Sequence, residues 1–168
     1  MSLANNAAEV NRLLAGASRT IEKVRYCWLL TTTGEAATRC RPMGRVPSDA
    51  GEDDWTLRFL TDGRSPKVAD LRRGGPVSAL FQDDPADAYV ALAGKVRLAE
   101  DKDETRRRWM PAYNVYFPTE ADRANALFFT IAVTRVELWI RGVTTEPFGL
   151  RTTMIERHAT HGWRLATG

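Results

Sequence analysis

The sequence predicts a mainly β protein of the α+β class, built as a small closed antiparallel barrel with helices at its periphery. About six segments have the alternating or β-branched and aromatic character of strands. Few helical segments lie between them, so most strands are not joined by the helical crossovers of a doubly wound parallel sheet. No internal repeat or low-complexity linker divides the 168 residues, and we expect a single domain over 1–168.

The first elements are a helix and a hairpin. Within the N-terminal segment 1–24, a helix is predicted over 7–24 from an apolar stripe at helical spacing. The stripe consists of Val10, Leu13, Leu14, Ala17, Ile21 and Val24. Two extended runs in 25–46 flank a turn at Gly34 and Glu35, which predicts a β-hairpin. Pro42 in the second run indicates an edge position or a bulge, because proline cannot donate to a neighbouring strand.

The later elements follow from the same patterns. Gly94 marks an expected bulge or bend in a long strand. The C-terminal extension, 141–168, is predicted to end in another hairpin. In chain order we predict a strand over 55–61, a short helix from Pro66, strands over 76–83 and 87–101, a helix over 102–110 that Pro111 stops, an aromatic loop over 111–118 and a strand over 126–140.

Composition narrows the class of protein. Hydrophobic residues make up 43% and charged residues 27%, a globular balance. No apolar run approaches the roughly 20 residues of a membrane helix, and the N-terminus lacks the features of a signal peptide. We therefore expect a cytoplasmic protein that has no membrane partner.

Metal and nucleic-acid sites are not expected. Cys27 and Cys40 are too few for a disulfide scaffold and are predicted to be buried, unreactive thiols, with a redox pair as the alternative. The two histidines, His158 and His161, do not complete a zinc site. The net charge of +3 is mild, and the densest basic run, 106–108, directly follows acidic residues, which predicts a solvated helix face.

One strand-to-helix junction, Thr61-Asp-Gly-Arg-Ser-Pro-Lys67, carries more charge than folding requires. Ser65 lies at the N-cap position of the predicted helix and Pro66 at its first helical position. Gly74 lies where the helix is expected to end. Arg64 and Lys67 are not explained in this way, because cations are disfavoured near a helix start. A phosphate would reverse that preference by accepting hydrogen bonds from Ser65 and Lys67. Ordinary surface cations are the alternative.

The order of several short motifs resembles one known family. "RPM" at 41–43, "FLTDGRSPKVADL" at 59–71, "VSALFQD" at 77–83, "DAYVALAGKV" at 87–96 and "VELW" at 136–139 resemble the pyridoxamine 5′-phosphate oxidase-like FMN-binding split-barrel superfamily, in particular its general stress protein branch. The resemblance covers about 21–142 and implies a six-stranded antiparallel split barrel, FMN as the cofactor and a homodimer.

The resemblance also implies a set of site residues. By similarity, FMN phosphate and ribityl contacts fall on Arg41, Thr61, Ser65 and Lys67, with the backbone of Pro42 and Met43 along the ring. The second subunit is expected to contribute Tyr89 and Trp139. Strand packing is the alternative for Trp139, and a surface strand position is the alternative for Tyr89. Trp109 and the loop "PAYNVYFP" could also line the flavin edge, but we do not count them in the site.

The departures from the family pattern concern the substrate. The true oxidases carry a lysine where this chain has Val46, and an "RLHDR" block where this chain reads "WIRGVTTEPFGL". We therefore do not expect oxidation of vitamin B6 compounds, and no catalytic residue is assigned.

Four functions remain open from the sequence. The first is a flavin-dependent oxidoreductase of the general stress protein type that acts on an unidentified small molecule, and the second is a non-enzymatic flavin-binding protein for buffering or sensing. The third is nucleic-acid binding through 106–108, which rests on charge alone. The fourth is a barrel that binds haem or a deazaflavin instead of FMN. The first is our expectation.

Overall fold

The computed structural model describes residues 3–166. These residues form eight strands, four α-helices and two short 3₁₀ helices at Asp84–Ala86 and Pro111–Val115. In chain order the other elements are α1 (Leu3–Lys23), β1 (Tyr26–Thr32), β2 (Thr38–Val46), β3 (Thr56–Asp62), α2 (Pro66–Arg72), β4 (Val77–Asp83), β5 (Ala88–Leu98), α3 (Lys102–Arg107), α4 (Glu120–Asn125), β6 (Ala126–Ile140), β7 (Thr153–His158) and β8 (Gly162–Leu165).

Six antiparallel strands close into a barrel. Their order is β3-β2-β1-β4-β5-β6, and β6 pairs again with β3. Strand β6 can do this because it has 15 residues: positions 126–132 pair with β3, and positions 135–138 pair with β7 along the same edge. The predicted closed antiparallel barrel is therefore confirmed, and the predicted C-terminal hairpin is β7 and β8, attached outside the barrel.

The core lies inside the barrel and beneath α1. Strand β1 alternates exposed and buried side chains, as a half-buried strand should, and the stacked rings of Phe59 and Phe129 lie 5.0 Å apart. The predicted stripe of α1 is buried at Val10, Leu13 and Ala17, so this helix covers the barrel as expected.

Gly94 shows why one strand position must be glycine. The β5–β6 register shifts between Ala93 and Gly94, which confirms the predicted irregularity. A Cβ atom built on Gly94 would lie 2.2 Å from the carbonyl oxygen of Ala132. Any side chain there would push β5 and β6 apart, because backbone cannot yield as a flexible side chain can.

The barrel is open between β2 and β3. Only Arg45 and Val46 of β2 pair with β3, so the rest of β2 has no strand partner on the side away from β1. Pro42 lies on this unpaired stretch, as the edge prediction required. The opening sets the position of the candidate site.

Three elements differ from the sequence prediction. Helix α3 ends at Arg107 rather than continuing to Pro111, and the predicted aromatic loop contains a short 3₁₀ helix. Helix α4 has no counterpart in the sequence prediction, and Thr119 and Asp122 form a reciprocal capping box at its start. None of the helices within 3–166 has the length and apolar character needed to cross a membrane.

Candidate functional site

A cleft of about 500 Å³ occupies the opening between β2 and β3. This volume lies in the range of small-molecule sites. One wall is β2, the other is the segment 112–117, and Lys67 and Thr61 stand at one end. The lining residues are Arg25, Tyr26, Pro42, Met43, Gly44, Arg45, Val46, Pro47, Leu60, Thr61, Lys67, Ala112, Tyr113, Val115, Tyr116 and Phe117.

Lys67 is the chief cation of the cleft. Its ammonium Nζ donates to Thr61 Oγ1 at 2.9 Å and to Ser65 Oγ at 3.2 Å. Burial lowers the pKa of Lys67, the nearby charge of Arg41 lowers it further, and Asp62 opposes both effects. No carboxylate of the described residues lies within 4.0 Å of Nζ. The structure thus brings together a half-buried ammonium and two hydroxyls, an arrangement suited to an anion.

A chain of hydrogen bonds that leads into the core holds Arg41 near Lys67. Its Nη1 donates to Thr31 Oγ1 at 2.8 Å and to the Leu29 carbonyl at 3.4 Å. Thr31 Oγ1 in turn donates to Asp70 Oδ2 at 3.0 Å, and both Thr31 and Asp70 are 2% exposed. Burial lowers the pKa of Arg41, and the charge of Asp70 acts in the opposite direction. Helix α2 therefore carries Lys67 on its first turn and orients Arg41 through Asp70.

Thr31 and Asp70 were missed at the sequence level. A threonine inside a strand and an aspartate inside a helix give no motif, and only the approach of α2 to β1 makes them partners. Asp70 also forms ion pairs with Arg39, whose Nη1 lies 3.4 Å from Asp70 Oδ2, and with the guanidinium of Arg73.

Two expectations about the junction require correction. Arg64 is 57% exposed and forms an ion pair with Asp62 at 2.5 Å and with Asp122 at 3.6 Å, so it needs no anion to explain it. Ser65 occupies the N-cap position of α2, but its side chain makes no capping bond and instead accepts from Lys67. Because α2 has only seven residues, the anion site depends on side chains rather than on the helix.

Tyr89 and Trp139 lie apart from the cleft. They face each other across β5 and β6, both half-buried, and neither lines the cleft of its own chain. The Tyr89 hydroxyl donates to Asp84 Oδ1 at 3.1 Å, and its ring lies 6.5 Å from Phe148. Their predicted role, which requires a second subunit, stays a prediction.

The aromatic segment between two prolines does line the cleft. Tyr113, Tyr116 and Phe117 contribute to its wall. Trp109 does not line it, but its ring packs edge-on against Tyr113 and Phe117, each at 5.7 Å between centroids. The composition of "PAYNVYFP" was the available signal for this wall, since aromatic side chains commonly line ligand pockets.

The two cysteines differ in environment. Cys27 is buried as predicted, whereas the prediction of a buried Cys40 is wrong, because this residue lies exposed on β2. Burial raises the pKa of Cys27 to about 11, which keeps it protonated and unreactive at neutral pH. Both thiols are free.

The predicted solvated helix face is present at Arg106 and Arg107, whereas Arg108 follows the last residue of α3 and its side chain is only 23% exposed. Arg106 pairs with Asp103 at 2.7 Å and Arg108 pairs with Glu104 at 3.2 Å. These arginines are therefore compensated by neighbouring carboxylates.

Comparison with known proteins identifies the family to which this sequence is similar. The sequence model described as "Pyridoxamine 5'-phosphate oxidase like" matches residues 15–157, most of the chain. This chain belongs to the pyridoxamine 5′-phosphate oxidase-like family. The resemblance seen in the sequence is therefore confirmed. No curated protein matches the chain at a significant level.

Several solved structures share the fold of this chain. A protein related to general stress protein 26 from Clostridium acetobutylicum superposes with a TM-score of 0.68 at 14% identity, over 87% of this chain and 94% of that one. An FMN-binding protein from Nostoc punctiforme PCC 73102 gives a TM-score of 0.66 at 14% identity, covering 99% and 96%. PhzG from Burkholderia lata 383, solved with tetrahydrophenazine-1-carboxylic acid, gives 0.64 at 16% identity, covering 93% and 88%. At these identities the likeness establishes the split-barrel fold alone.

Proposed function

We propose that the protein binds FMN in the cleft between β2 and β3 and acts as a flavin-dependent oxidoreductase on a small molecule. The observation that carries this proposal is the half-buried Lys67, whose ammonium meets the hydroxyls of Thr61 and Ser65 and no carboxylate of the described chain. Burying an uncompensated cation costs free energy, so such a group favours the binding of an anion. Membership of the family and the FMN-binding relative from Nostoc punctiforme identify FMN as the anion that suits the site.

The residues fit this cofactor. Lys67, Ser65, Thr61 and Arg41 supply an ammonium, two hydroxyls and a guanidinium for a phosphate and its polar chain. The unpaired edge of β2 at Pro42 and Met43 offers backbone groups and apolar surface to a flat ring. FMN would supply reversible hydride acceptance, while this chain binds and orients the cofactor and excludes water from its ring.

A homodimer belongs to the same proposal. Tyr26 and Trp28 on the outer face of β1 are 50% and 47% exposed, and Trp28 lies opposite Pro42 and Leu80 on the neighbouring strands. A second copy would cover this apolar surface. It would also bring its own Tyr89 and Trp139 toward the cleft, which neither residue reaches within one chain.

Vitamin B6 phosphates are not the proposed substrates. The position of the oxidase lysine holds Val46, and the arginine nearest to Trp139, Arg141, donates to Asp87 Oδ2 at 2.6 Å and packs on Phe148. The arginine that directly follows this strand is therefore already paired and is not free for a substrate phosphate.

A non-enzymatic flavin-binding role is the second candidate. It is favoured by the absence of aspartate, glutamate and histidine from the cleft lining of the described chain, which leaves no strong general acid or base. Anaerobic mixing of FMN-loaded protein with NADH or NADPH separates the two functions. Rapid bleaching of the bound flavin supports the oxidoreductase, and a flavin that stays oxidised with both donors supports the binding role.

The cofactor itself is tested by the absorption spectrum. Purified or FMN-reconstituted protein should show flavin bands in the blue that persist through gel filtration. Protein that retains no flavin after reconstitution, or that carries a haem Soret band, would contradict the proposal.

A further inference from the structure

Uncompensated cations mark both ends of the cleft. Among the described residues, four half-buried cations have no carboxylate within 4.0 Å, namely Arg41, Arg45, Lys67 and Arg123. Arg123 donates to the backbone carbonyls of Phe117 and Pro118 and does not itself line the cleft. Arg41 and Lys67 stand at the proposed phosphate end. Arg45 stands toward the other end, where the phosphate of the same FMN molecule would not lie.

Arg45 is incompletely satisfied where it lies. Its Nη2 donates to the Ile21 carbonyl at the end of α1 at 2.6 Å, and its guanidinium lies 5.4 Å from the centre of the Phe81 ring. Its Nε is buried and has no hydrogen-bond partner. Burial lowers the pKa of Arg45, and Cys27 and Glu22 act in the opposite direction without forming an ion pair with it.

Arg25 stands beside Arg45 at the mouth. Its exposed guanidinium lies 5.0 Å from the centre of the Tyr26 ring, and both residues line the cleft. No hydrogen bond or ion pair of this side chain is formed with the described residues 6–166. Both arginines line the cleft and also an adjoining groove of about 410 Å³, whose charged members include Lys23 and Glu22.

The walls between the two ends are apolar and aromatic. Met43, Tyr26, Tyr113, Tyr116 and Phe117 line this part of the cleft, and no acidic side chain does so in the described chain. A flat, conjugated molecule suits such walls, and a negative group suits two guanidiniums that have no carboxylate.

We propose that the end of the cleft formed by Arg25, Tyr26 and Arg45 binds the carboxylate or phosphate group of a second, planar ligand. This inference rests on the proposed function, because it assumes that FMN takes the Lys67 end. The second ligand is thereby assigned a chemical class: a conjugated organic anion, not a cation and not a neutral aliphatic compound.

Two matched probes test this assignment. Naphthalene-2-carboxylate and naphthalene-2-carboxamide have nearly the same shape and differ in charge, and each is titrated into FMN-loaded protein by calorimetry and by the change in the flavin absorption bands. The carboxylate should bind on the order of ten- to a hundredfold more tightly, as expected for charge-assisted bonds to a guanidinium.

The variant Arg25→Gln should lose most of that preference while binding FMN as the parent does. Arg25 is chosen over Arg45 because Arg45 also bonds the end of α1. Arg19→Gln is the control, since Arg19 is an exposed arginine of α1 that does not line the cleft. It removes the same charge and should keep the preference.

Each other result contradicts the inference. Equal binding of the two probes by the parent, an unchanged preference in Arg25→Gln, or an equal loss in Arg19→Gln would each overturn it. If the protein does not bind FMN, the proposed function fails separately. In that case the two probes are titrated into Lys67→Met apoprotein, in which the cation at the other end of the cleft is removed, and binding is followed by tryptophan fluorescence. A preference for the carboxylate that is lost in Arg25→Gln supports the anion site. The lack of such a preference overturns it.

Discussion

Replacing Lys67 with methionine should weaken FMN binding and leave riboflavin binding unchanged. Methionine keeps an unbranched side chain but removes the ammonium that now donates to Thr61 Oγ1 at 2.9 Å and Ser65 Oγ at 3.2 Å. Bonds to a charged group contribute about 1.5–3 kcal/mol, which corresponds to roughly a ten- to 150-fold change in dissociation constant. Riboflavin lacks the phosphate, so the same change should affect its affinity little.

The assay is paired titration of the apoprotein with FMN and riboflavin, followed by quenching of flavin fluorescence. Lys95→Met serves as the control, because Lys95 is an exposed residue of β5 that does not line the cleft. It removes one positive charge and should bind both flavins as the parent does.

Stability measurements separate a binding role from a structural one. In the apoprotein, Lys67→Met loses two hydroxyl bonds but also removes a half-buried charge, and these effects have opposite signs. The free energy of unfolding should therefore change by less than about 1 kcal/mol. A variant that binds FMN as the parent does, or that loses both flavins equally with a large loss of stability, would refute the assignment.

The pH dependence of FMN affinity and of stability provides a second test of the role of Lys67. Burial and Arg41 lower the pKa of Lys67, so FMN affinity should fall as pH rises through that lowered value, while riboflavin affinity stays level. For the apoprotein the sign is opposite: between the lowered folded pKa and the ordinary unfolded value, the unfolded chain binds more protons, so stability attributable to Lys67 rises with pH. Lys67→Met should lack both trends.

The remaining predictions concern other parts of the site and its surroundings. Thr31→Val should weaken FMN about tenfold by releasing Arg41, with riboflavin little changed, whereas Thr31→Ser keeps the hydroxyl and should bind FMN as the parent does. A thiol reagent at pH 8 should label only Cys40 in the native protein and also Cys27 in denaturant, because burial raises the pKa of Cys27 to about 11. Light scattering should show a dimer that Trp28→Glu converts to monomer, and a monomeric FMN-loaded parent would contradict the proposed assembly. Pyridoxine 5′-phosphate should give negligible oxidation, and saturable formation of pyridoxal 5′-phosphate would show that the residues after Trp139 were misread.

The barrel could be predicted because its strands carry strong local patterns. Strand β6 was predicted over 126–140 and has those bounds, since its β-branched and aromatic run is long and continuous. Helix α4 was missed because its six residues have no apolar stripe, and only the cap at Thr119 and Asp122 signals it. Local pattern thus identifies elements that bury a face and passes over short ones that do not.

The site could be predicted only in part, for a different physical reason. Ser65, Thr61 and Lys67 are close in sequence, so their meeting follows from one turn. The chain from Arg41 through Thr31 to Asp70 joins β2, β1 and α2, and no spacing rule connects those positions. No spacing rule connects Tyr89 and Trp139 with the cleft either, because the cleft they are proposed to reach belongs to another copy of the chain.

Charge compensation explains why composition alone could not reveal the site. The sequence has 24 lysines and arginines and 21 acidic residues, and most of the basic residues are satisfied by carboxylates. Arg58 is an example: it is 3% exposed and pairs with Asp49 at 2.7 Å and Glu52 at 2.5 Å, which repays the cost of its burial. Lys67 is less buried but has no such partner among the described residues, so its desolvation is left for a ligand to offset. A half-buried cation therefore indicates an anion site here when it lines a cleft and has no carboxylate partner, and both conditions depend on contacts between distant parts of the chain.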